Sequence, residues 1–362
     1  MTAPLTSTSP LLRMTQTSPT VLWNDSADPA ELTNALGWGA VGATCNPVIA
    51  LQVLKADLGT WQKRISDEAA AHPTATEAEI GWDMVRRLSV EAAALLEPTF
   101  REHEGRNGRL SIQTDPSFHR DSERLAAQAV EFDALAPNMI VKIPVTSAGV
   151  AAFEEATYQG VSINATVSFT VAQAVAVAEA VERGLKRREA EGKDISRMGP
   201  VCTIMVGRTD DWIKVAAEQA RVTLDPGYYE WAGVAVFKRA YQIFQERGYR
   251  IRLLSAAFRN HMHWSEFVGG DVVVSPPYSW QTRFNISNIV PVHRIDDPVD
   301  PKVFNALYDN LEEFRKSYDE DGMTIEQFDD YGATRRTLRQ FLAANNELET
   351  LVRDVVVPNP DR

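Results

Sequence analysis

Short apolar runs alternate with longer segments of helical period along most of this chain. The runs are TVLWND (20–25), AVGATCNP (40–47), RLSIQTD (109–115), MIVKIPV (139–145), VSINATVSF (161–169), PVCTIMVG (200–207), IRLLSAAF (251–258) and DVVVSPP (271–277). Alternation in RLSIQTD and the β-branched content of MIVKIPV read as strands, and runs this apolar suit a sheet buried on both faces. Helical sequences lie between them, including EAEIGWDMVRRLSVEAAALLEPTF, SERLAAQAVEFDALA and TVAQAVAVAEAVERGLKRREAEG, the last capped by Thr170 and closed by Gly192. Shorter helices are expected near residues 29–36 and from Ser147. Eight strands, each followed by helical sequence, predict an α/β fold, a parallel (β/α)8 TIM barrel. A doubly wound open sheet is the alternative. From about residue 300 the chain reads as two additional C-terminal amphipathic helices, KVFNALYDNLEEFRKSY and ATRRTLRQFLAANNELETLVRDVV, expected to pack outside the barrel. Residues 1–18, where Ser, Thr and Pro recur, are expected to be a flexible or loosely docked extension, leaving 19–362 as one barrel domain including those helices.

Composition narrows the partners. A formal charge of -12 and a pI near 5.1 argue against a nucleic-acid binder, which needs clustered Lys and Arg. The N-terminus lacks the apolar core of a secretion signal, and nothing later is long enough for a membrane span. Two cysteines, Cys45 and Cys202, both in apolar runs, make neither a disulfide framework nor a multi-cysteine zinc site, which fits the cytoplasm.

Three motifs invite a functional reading and lose it in context. GWGAVG (37–42) matches a dinucleotide fingerprint, yet it follows a helix and leads into a strand, the reverse of what a phosphate-binding turn requires. HMH (261–263) has no further ligand at metal spacing, so loop or helix-start histidines are expected and no metal site. LKRREAEGKD reads as the solvated end of a long helix.

Lys142 is the odd residue of the run NMIVKIPVTSAG. Burial penalises its charged form, and a neutral amine is a nucleophile, so it is a candidate Schiff-base lysine. The alternative is a lysine that snorkels to solvent. In a barrel the C-terminal strand ends carry the site. Polar residues collect there: Asp25, Asn46, Gln113 with Asp115, Lys142, Asn164 with Thr166, then Arg208, and Arg259 with Asn260. Period-2 alternation puts Ser111, Gln113 and Asp115 on one face, and Asn164 and Thr166 on one face. An amine, a carboxylate, amides, a hydroxyl and two guanidiniums suit a phosphorylated sugar.

The stretches NDSAD, GATCNP, LSIQTD, APNMIVKIPVTSAG, GVSINATVSFT, MVGR and AAFRN, in this order from about residue 20 to 277, resemble the transaldolase family. The resemblance implies a (β/α)8 barrel and class I aldol chemistry with no metal or organic cofactor. It implies Lys142 as the Schiff-base lysine and Asp25 as the carboxylate that exchanges a proton with the sugar hydroxyl. Asn46 and Asn164 match substrate-holding amides, Thr166 a hydroxyl near the lysine, and Arg208 and Arg259 the phosphate-binding arginines. Two positions depart. Gln113 replaces the family's usual glutamate, so it can orient a water but not shuttle a proton. The fructose-6-phosphate aldolase branch also has glutamine there, paired with a tyrosine on the sixth strand, where this chain has Met205. Thr203 and Ala257 stand where serine is usual, and Thr203 is taken as a further substrate contact.

The expected function is transfer of a dihydroxyacetone unit from fructose 6-phosphate or sedoheptulose 7-phosphate to an aldose phosphate, a transferase of the pentose phosphate pathway. Alternatives are an aldolase on another ketose and a non-catalytic sugar-phosphate-binding barrel. The partners expected are small sugar phosphates, with neither nucleic acid nor membrane, in a monomer or a homodimer.

Overall fold

The computed structural model describes residues 9–361. Eight parallel strands close into a barrel in chain order: β1 (Val21–Asn24), β2 (Ala40–Cys45), β3 (Arg109–Gln113), β4 (Met139–Pro144), β5 (Ile163–Thr166), β6 (Val201–Ile204), β7 (Arg252–Ser255) and β8 (Val273–Val274). Pairing of β1 with β8 at Val21 and Val273 closes the ring and rules out the open sheet. Helices separate successive strands and cover the outside, so the fold is the (β/α)8 TIM barrel, with extra helices at its C-terminal end.

Local sequence explains many element ends. Thr170 accepts the Gln173 N–H and starts the helix Val171–Ala190, as its position in the sequence predicts. Thr76 and Glu79 form a reciprocal capping box at the head of the helix Glu77–Glu102. The glycines of GWGAVG serve packing: the helix Pro29–Gly37 ends there, and Gly42 lies against the Trp23 indole inside the barrel. A Cβ at position 42 would fall 2.4 Å from that ring, and Trp23 is fully buried beside Ile140, Val201, Leu254 and Val273. Gly42→Ala is therefore expected to destabilise the protein by about 1–3 kcal/mol through overpacking, read as a lower denaturant midpoint with an unchanged slope.

Three features sharpen or correct the expectations. Part of the extension expected to be flexible or loosely docked is the helix Pro10–Thr17, capped by Ser9 and docked firmly through buried Leu11 and Met14, with the Trp264 indole N–H directed at the Met14 sulfur. Residues 1–8 of that extension lie outside the described residues. The segment expected as one helix over 302–318 is two, Pro301–Asn310 and Glu312–Tyr318, because Leu311 adopts an extended backbone and is itself buried.

The last helix, Gly332–Val356, is not confined to the barrel's outer wall. Its first turns reach the C-terminal mouth, where Tyr331, Leu338 and Phe341 pack with Val167, Phe169 and Met205. Its later turns rest on the helices Pro47–Ala56 and Glu77–Glu102, where Leu348 and Val352 meet Gly81. The amphipathic pattern specified that one face is covered, without specifying by what. No described helix is long and apolar enough to cross a membrane.

Candidate active site

The chain's polar residues at the C-terminal strand ends converge on the barrel mouth. Lys142 lies opposite Gln113 of β3 on one side and Asn164 of β5 on the other. In-register neighbours of a parallel sheet face the same way, so these three side chains lie on one face of the sheet. A chain of hydrogen bonds links β6, β5 and β3 beside the lysine: Thr203 Oγ1 donates to Asn164 Oδ1 at 2.7 Å, and Asn164 Nδ2 donates to Ser111 Oγ at 2.9 Å. That chain fixes the Asn164 amide and leaves its second N–H for another acceptor.

Lys142 is only 4% exposed. Burial lowers the pKa of its ammonium; Asp25 opposes the shift, the Arg208 guanidinium adds to it, and Cys45 opposes it slightly. Asp25 follows β1 and shows part of its surface, while the protein packed around it pushes its carboxyl pKa up, against the pull of Lys142 and then of Arg208. Among the described residues no ion pair within 4.0 Å involves Lys142. A buried amine near a carboxylate, yet unpaired, keeps nucleophilic character.

The remaining candidates fall into two groups. Gln113 is buried with its Oε1 free of any protein partner, so it presents a bare acceptor beside the lysine. Thr166 Oγ1 faces the Met205 sulfur at 3.9 Å, a weak contact that leaves the hydroxyl largely uncommitted. Asn46 spends its Oδ1 capping the helix Pro47–Ala56 through the Ile49 N–H, which points its amide NH2 elsewhere. Asp115 and Asn260 are absorbed locally: Asp115 caps the 3-10 turn Pro116–Phe118, while Asn260 binds Glu230 and the Met262 N–H.

The two arginines differ. Arg208 is mostly buried, donates from Nη1 to Thr337 Oγ1 at 3.1 Å and sits 5.7 Å from the Phe341 ring, with its Nε unpartnered. Burial, reinforced by Arg259, lowers its pKa to about 10, so it stays cationic at neutral pH. Arg259 is more open, grips Asp211 through Nε and Nη2 (Nη2 to Oδ2, 2.8 Å) and donates from Nη1 to the carbonyls of Ala257 and Phe258. Mutual repulsion of two guanidiniums at one mouth is relieved by an anion between them.

The backbone here is strained. Val167 (φ +56°) and Ala257 (φ +63°) occupy the left-handed region just beyond β5 and β7, at a cost of about 1–3 kcal/mol each. For a β-branched residue such as Val167 this is a true outlier. Gln173 holds that turn from behind, donating to the carbonyls of Val145 and Val167 and accepting from Phe169 N–H.

The family model for Transaldolase/Fructose-6-phosphate aldolase matches residues 22–351. The chain belongs to that family. Proteins similar to this member include Transaldolase 1 of Streptomyces avermitilis, 32% identical over 209 residues, covering 57% of this chain and 54% of that protein. A transaldolase of Mycolicibacterium paratuberculosis is 32% identical over 210 residues, 57% of this chain and 55% of that protein. A transaldolase of Mycobacterium leprae is 32% identical over 228 residues, 60% of this chain and 58% of that protein. The aligned stretches span a little over half the length of these relatives.

For this transaldolase-family barrel, sequence reasoning had missed the residues that reach the mouth from elsewhere. Thr337 and Phe341 come from the last helix, and Asp211 pairs with Arg259 from the helix after β6. Only Gln173 had a local signal, being an amide three residues after the capping Thr170. Asp329 also bonds Ser147 N–H at the head of the helix after β4, tying the C-terminal segment to the lysine strand.

Proposed function

We propose that the protein is a transaldolase-like enzyme that moves a dihydroxyacetone unit between sugar phosphates through a Schiff base on Lys142. The observation that carries the reading is the buried Lys142 amine, with its lowered pKa, near but not paired to Asp25 at the mouth of a family barrel. Lys142 Nζ attacks the C2 carbonyl of a ketose phosphate, and loss of water from the carbinolamine gives an iminium. Asp25 accepts the C4 hydroxyl proton, the C3–C4 bond breaks, and its electron pair enters the iminium to leave an enamine on the lysine. The aldose phosphate departs. An acceptor aldehyde then takes the enamine carbon, Asp25 returns the proton, and water releases the new ketose.

Asn46, Asn164 and Thr203 fit as the hydrogen-bonding frame for sugar hydroxyls, and Arg208 and Arg259 as the phosphate grip. Gln113, with its free Oε1, serves to orient the water that leaves and re-enters, and the Thr166 hydroxyl completes the relay that a glutamate would otherwise supply. The lysine is the electrophile generator, so the cycle calls on no metal and no organic cofactor.

Gln113 together with Met205 favours a second reading, an aldolase that releases dihydroxyacetone to water. Two experiments separate the outcomes. Incubation with fructose 6-phosphate and borohydride is expected to leave a dihydroxyacetone-sized adduct on the Lys142 peptide. Release of glyceraldehyde 3-phosphate beyond one equivalent per Lys142 is expected to require an acceptor aldose; sustained release at the same rate without one would establish the aldolase. A folded protein that binds fructose 6-phosphate and yields no adduct would instead be a sugar-phosphate-binding barrel.

A further inference from the structure

The proposed turnover makes no use of the HMH histidines, yet His263 is fully buried directly behind the loop that carries Arg259. Its Nδ1 accepts the Arg259 backbone N–H at 3.0 Å, and its Nε2 lies 2.8 Å from Oδ2 of Asp210, which is equally buried. An Nδ1 that accepts carries no proton, so the imidazole is the neutral Nε2–H tautomer and donates to the carboxylate. Asp210 Oδ1 accepts the Gly233 N–H at 2.8 Å, which locks the carboxylate plane. The loop is confined on its other flank too. A Cβ at Gly207 would fall 2.0 Å from the Ala257 carbonyl oxygen and 2.7 Å from Arg259 Cγ, so the chain approaches this closely only because residue 207 has no side chain.

A buried Asp and His pair is a poor way to fill a core, because desolvation consumes most of its attraction. What it does here is direction: it supplies one acceptor aimed at one N–H. We infer that Asp210 and His263 are positioning residues that set the Arg259 guanidinium for the phosphate of the substrate, an inference that rests on the phosphate-binding reading of Arg259. Asp210 fixes the tautomer, the tautomer fixes the Arg259 backbone, and the backbone together with Asp211 aims the side chain.

Asp210→Asn tests this with little change of volume. Its Oδ1 still serves Gly233, but an NH2 now faces Nε2, so the imidazole must carry its proton on Nδ1, opposed to the Arg259 N–H. Nitrogen NMR of the imidazole is expected to show Nε2–H in the parent protein and Nδ1–H in the variant. The KM for fructose 6-phosphate is expected to rise about tenfold or more, with kcat and the KM for unphosphorylated fructose within about threefold of the parent. His263→Asn, whose Oδ1 stands where Nδ1 was, is expected to keep most of the phosphate preference that His263→Phe loses. Calorimetric binding of inorganic phosphate reads the same clamp without turnover. If the parent turns over no sugar, the catalytic reading fails while phosphate affinity still decides this one: weakening in Asp210→Asn upholds it. Equal phosphate affinity in parent and variant, no phosphate binding by the parent, or an equal loss on both sugars overturns it.

Discussion

Replacing Lys142 with methionine is expected to abolish turnover, by on the order of 10^4-fold or more, while leaving the barrel as stable as before or more so. The two effects have one cause. The amine is buried, and burial lowers its pKa below the ordinary 10.5. The folded state therefore binds fewer protons at this site than the unfolded chain wherever pH lies between the lowered value and 10.5. Stability then rises with pH across that window, and the site is a net cost at neutral pH. Methionine keeps the unbranched shape and removes the amine, so a gain of roughly 1–3 kcal/mol is expected near pH 7. The gain should shrink as pH approaches 10.5, where the parent lysine is neutral in both states. Calorimetric Tm at pH 7 and pH 10, with initial rates on fructose 6-phosphate, measures both halves. Appreciable residual turnover in a folded variant would sink the Schiff-base reading; a fall in Tm at pH 7 would mean that Lys142 is a structural contact. A site that strains its own fold in this way is the usual trade of stability for reactivity.

How far the sequence reaches is visible in single residues. Lys142 was legible because a charge inside MIVKIPV contradicts its surroundings, and the alternation of apolar runs with helices placed that contradiction at a barrel mouth. Gln113 and Asn164 were legible as polar residues at the mouth on the strands flanking that of the lysine, because chain order sets strand adjacency in such a barrel; their register with Lys142 was not. Thr337 and Phe341 were not legible. Their spacing marks a helix face that is covered, and a covered face carries no address. The docked helix Pro10–Thr17 escaped for a related reason: Leu11 and Met14 are too few to show a period among Ser, Thr and Pro, and the Met14 sulfur meets Trp264, some 250 residues away. His263, expected in a loop or at a helix start, lies in the first turn of the short helix Met262–Ser265, but its partner Asp210 lies on the helix after β6 and sequence offers no link between them. Contacts between loops at the mouth are products of closure, and closure is decided by the whole ring of strands.

Asp25→Asn is expected to divide the reaction where the lysine variant stops it entirely. The amide cannot accept the C4 hydroxyl proton, so C3–C4 cleavage should slow by roughly 10^2–10^4-fold. Schiff-base formation should survive, because Asp25 is the largest influence holding the Lys142 pKa up, and its removal lets burial and Arg208 lower that pKa further. The amine then stays neutral to a lower pH than in the parent, and the acid limb of adduct formation should move the same way. Borohydride reduction after incubation with fructose 6-phosphate is thus expected to capture the intact hexose phosphate on the Lys142 peptide, in place of the three-carbon unit expected with the parent. The mass of the adduct reports the step at which the chemistry halts. A three-carbon adduct formed at the parent's rate would assign proton acceptance to another group. Absence of any adduct would mean that Asp25 also serves carbinolamine dehydration, which is the role left open by glutamine at position 113. The same variant therefore tests Asp25 as the proton acceptor and shows whether Asp25, rather than Gln113 with Thr166, serves the dehydration step.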